Sequence, residues 1–285
     1  MTTSPRSAAE DALVEAARRG DRRALEDLLE RASPLILRFG MRMCGGRVED
    51  AEDVLQDTLL NVVRHVGDFR GASSLSTWLY SIARSACSRK RRKSRFAPER
   101  LESLHDEEGR QASALPDPGS QPEQAAAEHE LGDVLERAIA GLDPKYREVL
   151  LLRDVEGLTA PEVAEVLGLR LEAVKTRLHR ARAQVRAAVR PWLGAGADEP
   201  PVEGCPDVVS LWSRYLEGDI RPETCSEMER HLESCPRCRG ACDSLKRTLA
   251  LCRALPAGDV PVEIRESLRR AIARALGEKG GETPP

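Results

Sequence analysis

Apolar residues recur with the spacing of an α-helix along most of this 285-residue chain. Leu55, Leu59, Val62 and Val66, for example, fall at i, i+4, i+7 and i+11, which is one face of a helix. Aromatic residues make up only 3% of the chain and charged residues 32%, a balance that favours helices over a β-rich core. The sequence therefore predicts an all-α protein.

Two stretches rich in proline, glycine and alanine interrupt the helical pattern and separate it into domains. The first includes Pro116–Pro122 and the second Gly194–Pro201. The predicted organisation is a helical domain at 7–97, a linker at 98–127, a second helical domain at 128–192, a linker at 193–204, a cysteine-rich domain at 205–252, and a C-terminal helix and tail at 253–285.

The net charge of −3 is an average over unlike segments, because strongly basic runs occur at Arg89–Lys93 and within Lys175–Arg190. Local basic patches on a nearly neutral chain favour contact with nucleic acid at chosen places. No apolar run approaches the ~20 residues of a membrane span, and no signal peptide is evident at the start. We expect a cytoplasmic protein, whose cysteines serve as metal ligands or redox thiols more readily than as structural disulfides.

The first helical domain carries a row of acidic residues beside its apolar stripe. Asp50, Asp53 and Asp57 recur at i, i+3 and i+7, with Gln56 next to them, and we call these four residues the acidic ridge. Such a row is a docking surface or a face that contacts only water.

The helix predicted for Ser74–Lys93 places aromatic residues beside cations. Trp78 and Tyr80 precede Arg84 and the basic run. Flat side chains that stack on bases, with cations that hold phosphates, are typical of single-strand binding. The alternative is a core tryptophan and a half-buried surface tyrosine.

The motifs Asp50–Asp57, Phe69–Gly71 and Thr77–Arg84 resemble region 2 of extracytoplasmic-function (ECF) sigma factors, with consistent spacing from about Leu25 to Lys93. The resemblance implies that the acidic ridge docks on the clamp helices of the β′ subunit of RNA polymerase. It also implies that the helix predicted for Ser74–Lys93 opens and holds the −10 promoter element. The residues expected to contact −10 DNA are Trp78, Tyr80, Arg84, Ser85, Arg89, Arg91 and Arg92.

The second helical domain reads as a helix-turn-helix. Thr159 and Glu162 have the form of a capping box, Gly168 falls at a turn, and Leu171–Val189 forms a long helix with a basic outer side. Its N-terminal part is suited to the major groove of DNA. The residues expected to read base edges are Lys175, Thr176, His179 and Arg180, and those expected to meet phosphates are Arg177, Arg182 and Arg186.

The span Leu142–Arg190 resembles sigma region 4, through the motifs Leu151–Thr159 and Val174–Arg182. The resemblance implies recognition of the −35 element. Two such domains without an intervening region 3 are typical of the short ECF class. The implied partners are promoter DNA and core RNA polymerase, through its β′ clamp helices and β flap, and a separate anti-sigma factor is a further candidate.

Potential metal ligands crowd the segment between Cys205 and Cys252. His231, Cys235 and Cys238 follow one another at spacings that let three donors reach one ion, and Cys205 completes a set of three sulfurs and one nitrogen suited to Zn²⁺. The alternative is a group of idle cysteines. The stretch Cys205–Cys242 resembles the zinc-binding anti-sigma domain, a small helical domain that grips sigma regions 2 and 4.

Cys225, Cys242 and Cys252 exceed that set of four ligands. They are candidates for a second, softer site for Cu(I), Cd²⁺ or Zn²⁺, or for redox thiols. A fused module of this kind is similar to metal-responsive sigma factors with a cysteine-rich C-terminal domain.

The sequence therefore predicts a sigma factor regulated in cis by a metal-binding domain, which is not an enzyme, since no phosphate loop or nucleophile motif is evident. The alternative is a metal-sensing repressor that binds an operator without polymerase.

Overall fold

A computed structural model describes residues 8–96, 122–193, 204–255 and 260–279, and all regular secondary structure in these ranges is helical, which confirms the predicted all-α class. The α-helices are α1 (Ala8–Arg18), α2 (Arg22–Met43), α3 (Val48–His65), α4 (Leu75–Phe96), α5 (Pro122–Ala140), α6 (Pro144–Leu150), α7 (Ala160–Leu167), α8 (Leu171–Val189), α9 (Val208–Leu216), α10 (Pro222–Ser234), α11 (Pro236–Ala254) and α12 (Val262–Lys279). None of the helices in the described part combines the length and apolar character needed to cross a bilayer.

The chain divides into two compact units. One comprises Met1–Ala114 with Pro256–Pro285, and the other comprises Leu115–Leu255. We refer to them as the first and second unit. The helix-turn-helix and the cysteine-rich segment therefore lie in the same unit, whereas α12 belongs with the N-terminal helices.

The first unit is built on α2, α3 and α4, which pack together around fully buried side chains such as Phe39 and Leu55. Asp21 caps α2 by accepting from the backbone N–H groups of Arg23 and Ala24 at 2.9 and 3.1 Å. α2 approaches α3 closely at Gly40, where an added Cβ would meet Ala51 at 3.4 Å.

α12 packs against α3 in the first unit, with Leu268 and Ile272 buried. Arg269 Nη2 also lies 2.6 Å from Glu30 Oε1 on α2. The sequence predicts this helix only as part of the C-terminal segment 253–285. Its amphipathic pattern indicates that one face is buried, but it does not indicate which surface covers that face.

The second unit contains the predicted helix-turn-helix. The capping box is present, with Thr159 N–H donating to Glu162 Oε2 at 2.8 Å and Thr159 Oγ1 accepting from Glu162 N–H. Gly168 ends α7 in the left-handed conformation (φ +62°), which favours glycine. The predicted inner face of α8 is buried, and consists of Val174, Leu178, Ala181 and Val185.

The helices of the cysteine-rich segment pack on the helix-turn-helix, since α9 and α11 both contact α8. Most of each predicted linker lies outside the described residues, which leave out 97–121 and 194–203. Helix α5 begins at Pro122, earlier than the expected start at 128. Proline is well suited to the first turn of a helix, and the alanines that follow it are strong helix formers.

Candidate nucleic-acid interface and metal centre

The acidic ridge lies on α3 with Asp53, Gln56 and Asp57 exposed and Asp50 half-buried. Cations of α4 lie beside it. Lys90 Nζ contacts Asp53 and is 3.6 Å from Asp50 Oδ1, and Arg89 Nη2 is 3.6 Å from Asp57 Oδ2. The hydrogen bond to Asp53 raises the pKa of Lys90. These pairs are all at least partly exposed to solvent and therefore weak, so an external partner can compete for the carboxylates.

The residues predicted to hold −10 DNA divide by their exposure on α4. Arg84 and Arg91 are half-buried, and Ser85, Arg89 and Arg92 are exposed. Trp78 is half-buried, and its ring centroid lies 5.0 Å from that of Phe69.

Tyr80 is a correction to the predicted −10 set. Only 3% of its surface is exposed, and its ring packs edge-on against Phe39 with centroids 5.4 Å apart. Tyr80 shares one helix face with Ala83 and Cys87, which are also buried, because positions i, i+3 and i+7 point the same way. In this structure Tyr80 is a core residue and its ring is not open to a base.

The predicted base-reading residues lie on the N-terminal half of α8. Thr176 and Arg180 are exposed, and Arg180 Nη1 donates to the Tyr146 hydroxyl at 3.3 Å. His179 is half-buried, and its Nδ1 has no hydrogen-bond partner within the described ranges. Arg177, a predicted phosphate contact, is half-buried, and its Nη1 lies 3.5 Å from Glu148 Oε1.

Lys175 does not face open solvent, because its ammonium group contacts Asp219 in the turn that follows α9. The hydrogen bond to Asp219 raises the pKa of Lys175. Only 15% of the lysine side chain is exposed. A cation predicted to read a base is thus paired with a carboxylate of the cysteine-rich segment.

Arg182 is the second correction, since it was expected to meet a phosphate but is 1% exposed. Its guanidinium forms a two-point contact with Asp154, at 2.8 Å from Nε to Oδ2 and 2.7 Å from Nη2 to Oδ1. It also donates from Nη1 to Ser213 Oγ at 3.0 Å. Burial by itself would lower the pKa of Arg182, but the carboxylates around it raise that pKa, so the side chain stays charged.

The sequence contained a signal for this burial. Leu178, Arg182 and Val185 fall at i, i+4 and i+7, so Arg182 belongs to the inner face of α8. Arg186, another expected phosphate contact, is half-buried, and desolvation lowers its pKa, assisted by Arg190.

Glu217, a residue to which the sequence assigns no role, joins the cysteine-rich segment to the helix-turn-helix. Its Oε1 accepts from Arg182 Nη2 at 2.7 Å and its Oε2 from Arg153 Nε at 3.1 Å. The glutamate side chain is 3% exposed. A hydrogen-bonded charge cluster of Asp154, Arg182, Glu217 and Arg153 therefore spans α8, the π-helical segment Leu151–Val155 after α6 and the end of α9.

The four predicted zinc ligands come together. One potential ligand atom from each of Cys205, His231, Cys235 and Cys238 lies within 4.8 Å of the others, and the Sγ atoms of Cys205 and Cys235 are 4.0 Å apart. Two sulfurs at about 2.3 Å from a tetrahedral Zn²⁺ lie about 3.8 Å apart, so the spacing suits zinc. His231 Nε2 is buried without a hydrogen-bond partner in the described part of the chain, as expected of a nitrogen that binds a metal.

Local structure explains the convergence. Cys235 stands between α10 and α11, where its sulfur accepts from the backbone N–H of Cys238, and this interaction lowers the pKa of Cys235. Burial raises the pKa of Cys238 to about 12, so a thiolate there requires a compensating cation. His231 is one helical turn before Cys235, and Cys205 precedes α9.

The three remaining cysteines of the segment, the candidates for a second metal site or for redox thiols, lie on two helices, Cys225 on α10 and the other two on α11. Cys225 Sγ lies 3.7 Å from Glu229 Oε1, whereas Cys242 and Cys252 are buried on α11. Ten residues of helix separate those two by about 15 Å. Within the described residues, only the set with Cys205 gathers three or more potential ligands.

Comparison with known proteins covers the same three segments. Residues 28–96 match the family "Sigma-70 region 2", residues 132–185 match "Sigma-70, region 4", and residues 205–239 match "Putative zinc-finger". These matches define the class of sigma-70-type transcription initiation factors.

Relatives specify the family further. The chain is 33% identical to the RNA polymerase sigma-H factor of Pseudomonas aeruginosa over 64% of this chain and 94% of that protein. It is 31% identical to the ECF sigma factor SigM of Mycobacterium tuberculosis over 58% of this chain and 77% of that protein. The match to the ECF sigma factor SigE of Mycolicibacterium smegmatis, at 31% identity, spans 59% of this chain and 63% of that protein. The chain belongs to the ECF family of RNA polymerase sigma factors.

Among solved structures, the chain aligns with CnrH in complex with the cytosolic domain of CnrY at 28% identity, with a TM-score of 0.45, over 63% of this chain and 96% of that one.

Proposed function

We propose that this cytoplasmic sigma factor directs core RNA polymerase to promoters with −10 and −35 elements, and that its own zinc-binding segment masks part of the −35-reading surface. The observation that carries the proposal is the pairing of Lys175 with Asp219 and of Arg182 with Glu217. Family membership supports the first half, and the charge pairing supports the second.

Polymerase docking is assigned to the acidic ridge. Its carboxylates form a row on one side of α3, and the surface pairs that they make with Arg47, Arg89 and Lys90 are weak competitors of an external partner. Docking on a basic partner would release those cations for DNA. The −10 contacts are then assigned to the surface of α4, without Tyr80.

Promoter reading at −35 is assigned to the accessible N-terminal half of α8. Arg180 and Thr176 face solvent there and can approach base edges in the major groove. Arg182 holds the helix in place by its buried bonds to Asp154, so its role is structural.

Masking follows from the position of the carboxylates. Asp219 binds the ammonium group of Lys175, as a DNA phosphate or a hydrogen-bond acceptor on a base would, and α9 packs along α8. DNA and the cysteine-rich segment therefore compete for the same cation. The segment lowers promoter affinity as long as it stays on α8.

Zinc is assigned to Cys205, His231, Cys235 and Cys238. The ion would supply a structural cross-link, since its ligands come from the residues before α9 and from the junction of α10 and α11. This cross-link would hold α9 in the orientation that presents Glu217 to Arg182 and Arg153.

Asp219→Asn tests the masking in the full chain. The change removes one negative charge from a partly exposed pair, so affinity for a −35 duplex should rise about threefold, as expected for roughly 0.7 kcal/mol. Glu227→Gln, at an exposed position of α10, is the matched control and should leave the affinity unchanged. Equal affinity of the Asp219→Asn variant and the wild type in fluorescence anisotropy would contradict the masking.

A further inference from the structure

Arg180 on α8 is held at its end by a residue of another helix. The arginine is exposed, and its Nη1 donates to the Tyr146 hydroxyl on α6 at 3.3 Å. An exposed arginine that contacts nothing samples many rotamers, and ordering it on a ligand costs free energy. The contact with Tyr146 therefore restricts a side chain that would otherwise move freely in solvent.

Tyr146 lies on a well-anchored part of the second unit. Its N–H donates to the carbonyl of Asp143 at 2.8 Å, and the Asp143 side chain caps the start of α6. Arg147, the next residue, donates from Nε to the carbonyl of Ile139 near the end of α5 at 3.1 Å. α6 packs against α8, and Val149 on α6 has none of its surface exposed. These contacts hold the backbone that carries the tyrosine in place relative to α8.

The partner of Arg180 is neutral, which distinguishes it from the partner of Lys175. Asp219 neutralises the ammonium group of Lys175, whereas the Tyr146 hydroxyl carries no charge and leaves Arg180 a free cation. A guanidinium has five N–H donors, and the hydroxyl uses one of them. Enough donors remain for a two-point contact with O6 and N7 of a guanine. Tyr146 can thus orient the guanidinium without removing the charge or the donors that DNA requires.

We infer that Tyr146 is a positioning residue for promoter recognition, and that its hydroxyl sets the guanidinium of Arg180 in the orientation that reads a guanine of the −35 element. The inference rests on the proposed reading of −35 DNA by α8. Tyr146 acts through Arg180 and needs no contact with a base. Its contribution is preorganisation, since an arginine already held in its binding orientation loses less freedom when it binds.

A positioning role and a purely structural role of the Tyr146 hydroxyl predict different results. If the hydroxyl only fastened α6 to α8, its loss would lower the stability of the protein and weaken binding to every DNA sequence alike. If it positions Arg180, its loss lowers the affinity only where Arg180 meets its preferred base. Tyr146→Phe separates the two roles, because it removes one oxygen and keeps the ring whose centroid lies 5.0 Å from Lys145 Nζ.

The test measures DNA binding by the full-length, zinc-loaded chain with fluorescence anisotropy. The probes are a −35 duplex selected from random sequences for binding to the wild type, and a set of duplexes that each carry one changed −35 base pair. Arg180→Ala should abolish the preference at one base pair. Tyr146→Phe should weaken binding to the selected duplex about fivefold and leave binding to the duplex changed at that base pair at the wild-type level. In the Arg180→Ala background, Tyr146→Phe should change no affinity further.

Tyr215→Phe is the matched control, because it removes the hydroxyl of an exposed tyrosine on α9 and should leave every affinity unchanged. Equal weakening on all duplexes by Tyr146→Phe, or tighter binding to the selected duplex, would overturn the positioning role. An unchanged affinity of Tyr146→Phe, where Arg180→Ala abolishes the preference, would also overturn it but leave the reading of −35 DNA by Arg180 in place. If Arg180→Ala keeps the preference at every base pair, the base-reading role proposed for Arg180 fails and the positioning role fails with it.

Discussion

Arg182 Nη2 and Glu217 Oε1 lie 2.7 Å apart, with 1% of the arginine side chain and 3% of the glutamate side chain exposed. Arg182 belongs to α8 and Glu217 to the cysteine-rich segment. Burying two charges is costly unless each is well satisfied, and here Asp154 and Arg153 complete the cluster. The two segments are therefore matched in charge, and removing either partner breaks a buried charge cluster.

Glu217→Ala should free the cysteine-rich segment from α8. Arg182 keeps Asp154, but Arg153 loses the carboxylate that accepts from its Nε. We expect α9 to show faster amide hydrogen exchange, with the loss of roughly 3 kcal/mol of local stability that is typical of a broken buried pair. Glu227→Gln is the control, and unchanged exchange in α9 of the Glu217 variant would show that the pair does not fasten the segment.

Arg182→Ala should lower the stability of the protein, whereas Arg180→Ala should lower its affinity for DNA. The first variant should lose about 3–5 kcal/mol in the free energy of unfolding, because Asp154 is left buried without a partner. The second should unfold like the wild type but bind a cognate −35 duplex more weakly by roughly 1–3 kcal/mol. Chemical denaturation and fluorescence anisotropy measure the two quantities. Equal loss on cognate and scrambled DNA for Arg180→Ala would make Arg180 a phosphate contact.

Asp53→Arg combined with Asp57→Arg should abolish binding to core polymerase. Both side chains are exposed, so the domain should keep its helical circular dichroism. The control is the same charge change on α1, Asp11→Arg with Glu15→Arg, which should bind core enzyme normally. Co-elution of the α3 variant with core enzyme at the wild-type yield would refute the docking assignment.

Removing a zinc ligand should have a different result from removing a surplus cysteine. His231→Ala or Cys235→Ala should lose the ion and the order of α9–α11, because three ligands rarely suffice for a structural site. Cys225→Ala should retain about one zinc per chain, since the sulfur of Cys225 is not among the four potential ligands that come together. Elemental analysis beside circular dichroism measures both outcomes, and a full zinc content in Cys235→Ala would contradict the ligand assignment.

The sequence predicted the features that depend on local spacing. The capping box at Thr159, the buried stripe of α8 and the gathering of Cys205 with His231 follow from periodicity and ligand chemistry, and the structure contains all three. Such features can be predicted because they depend on residues close together along one helix or on a recognisable set of metal ligands.

Features that depend on which surfaces meet could not be predicted in the same way. The basic composition of α8 concealed the inward position of Arg182, whose partner Glu217 lies 35 residues away. Counting cysteines suggested a second metal site, but Cys242 and Cys252 are core residues on one helix. Tyr80 next to cations suggested base stacking, whereas its helix face packs on Phe39.

Masking of α8 by the cysteine-rich segment is tested most directly by in vitro transcription with core RNA polymerase from a promoter with −10 and −35 elements. The full-length double variant Glu217→Gln with Asp219→Asn removes both carboxylates that hold α8 and keeps the zinc ligands. It should produce several-fold more transcript than the wild type at limiting sigma factor, whereas the control Glu223→Gln with Glu227→Gln should match the wild type. Equal transcript from all three proteins would contradict masking in cis.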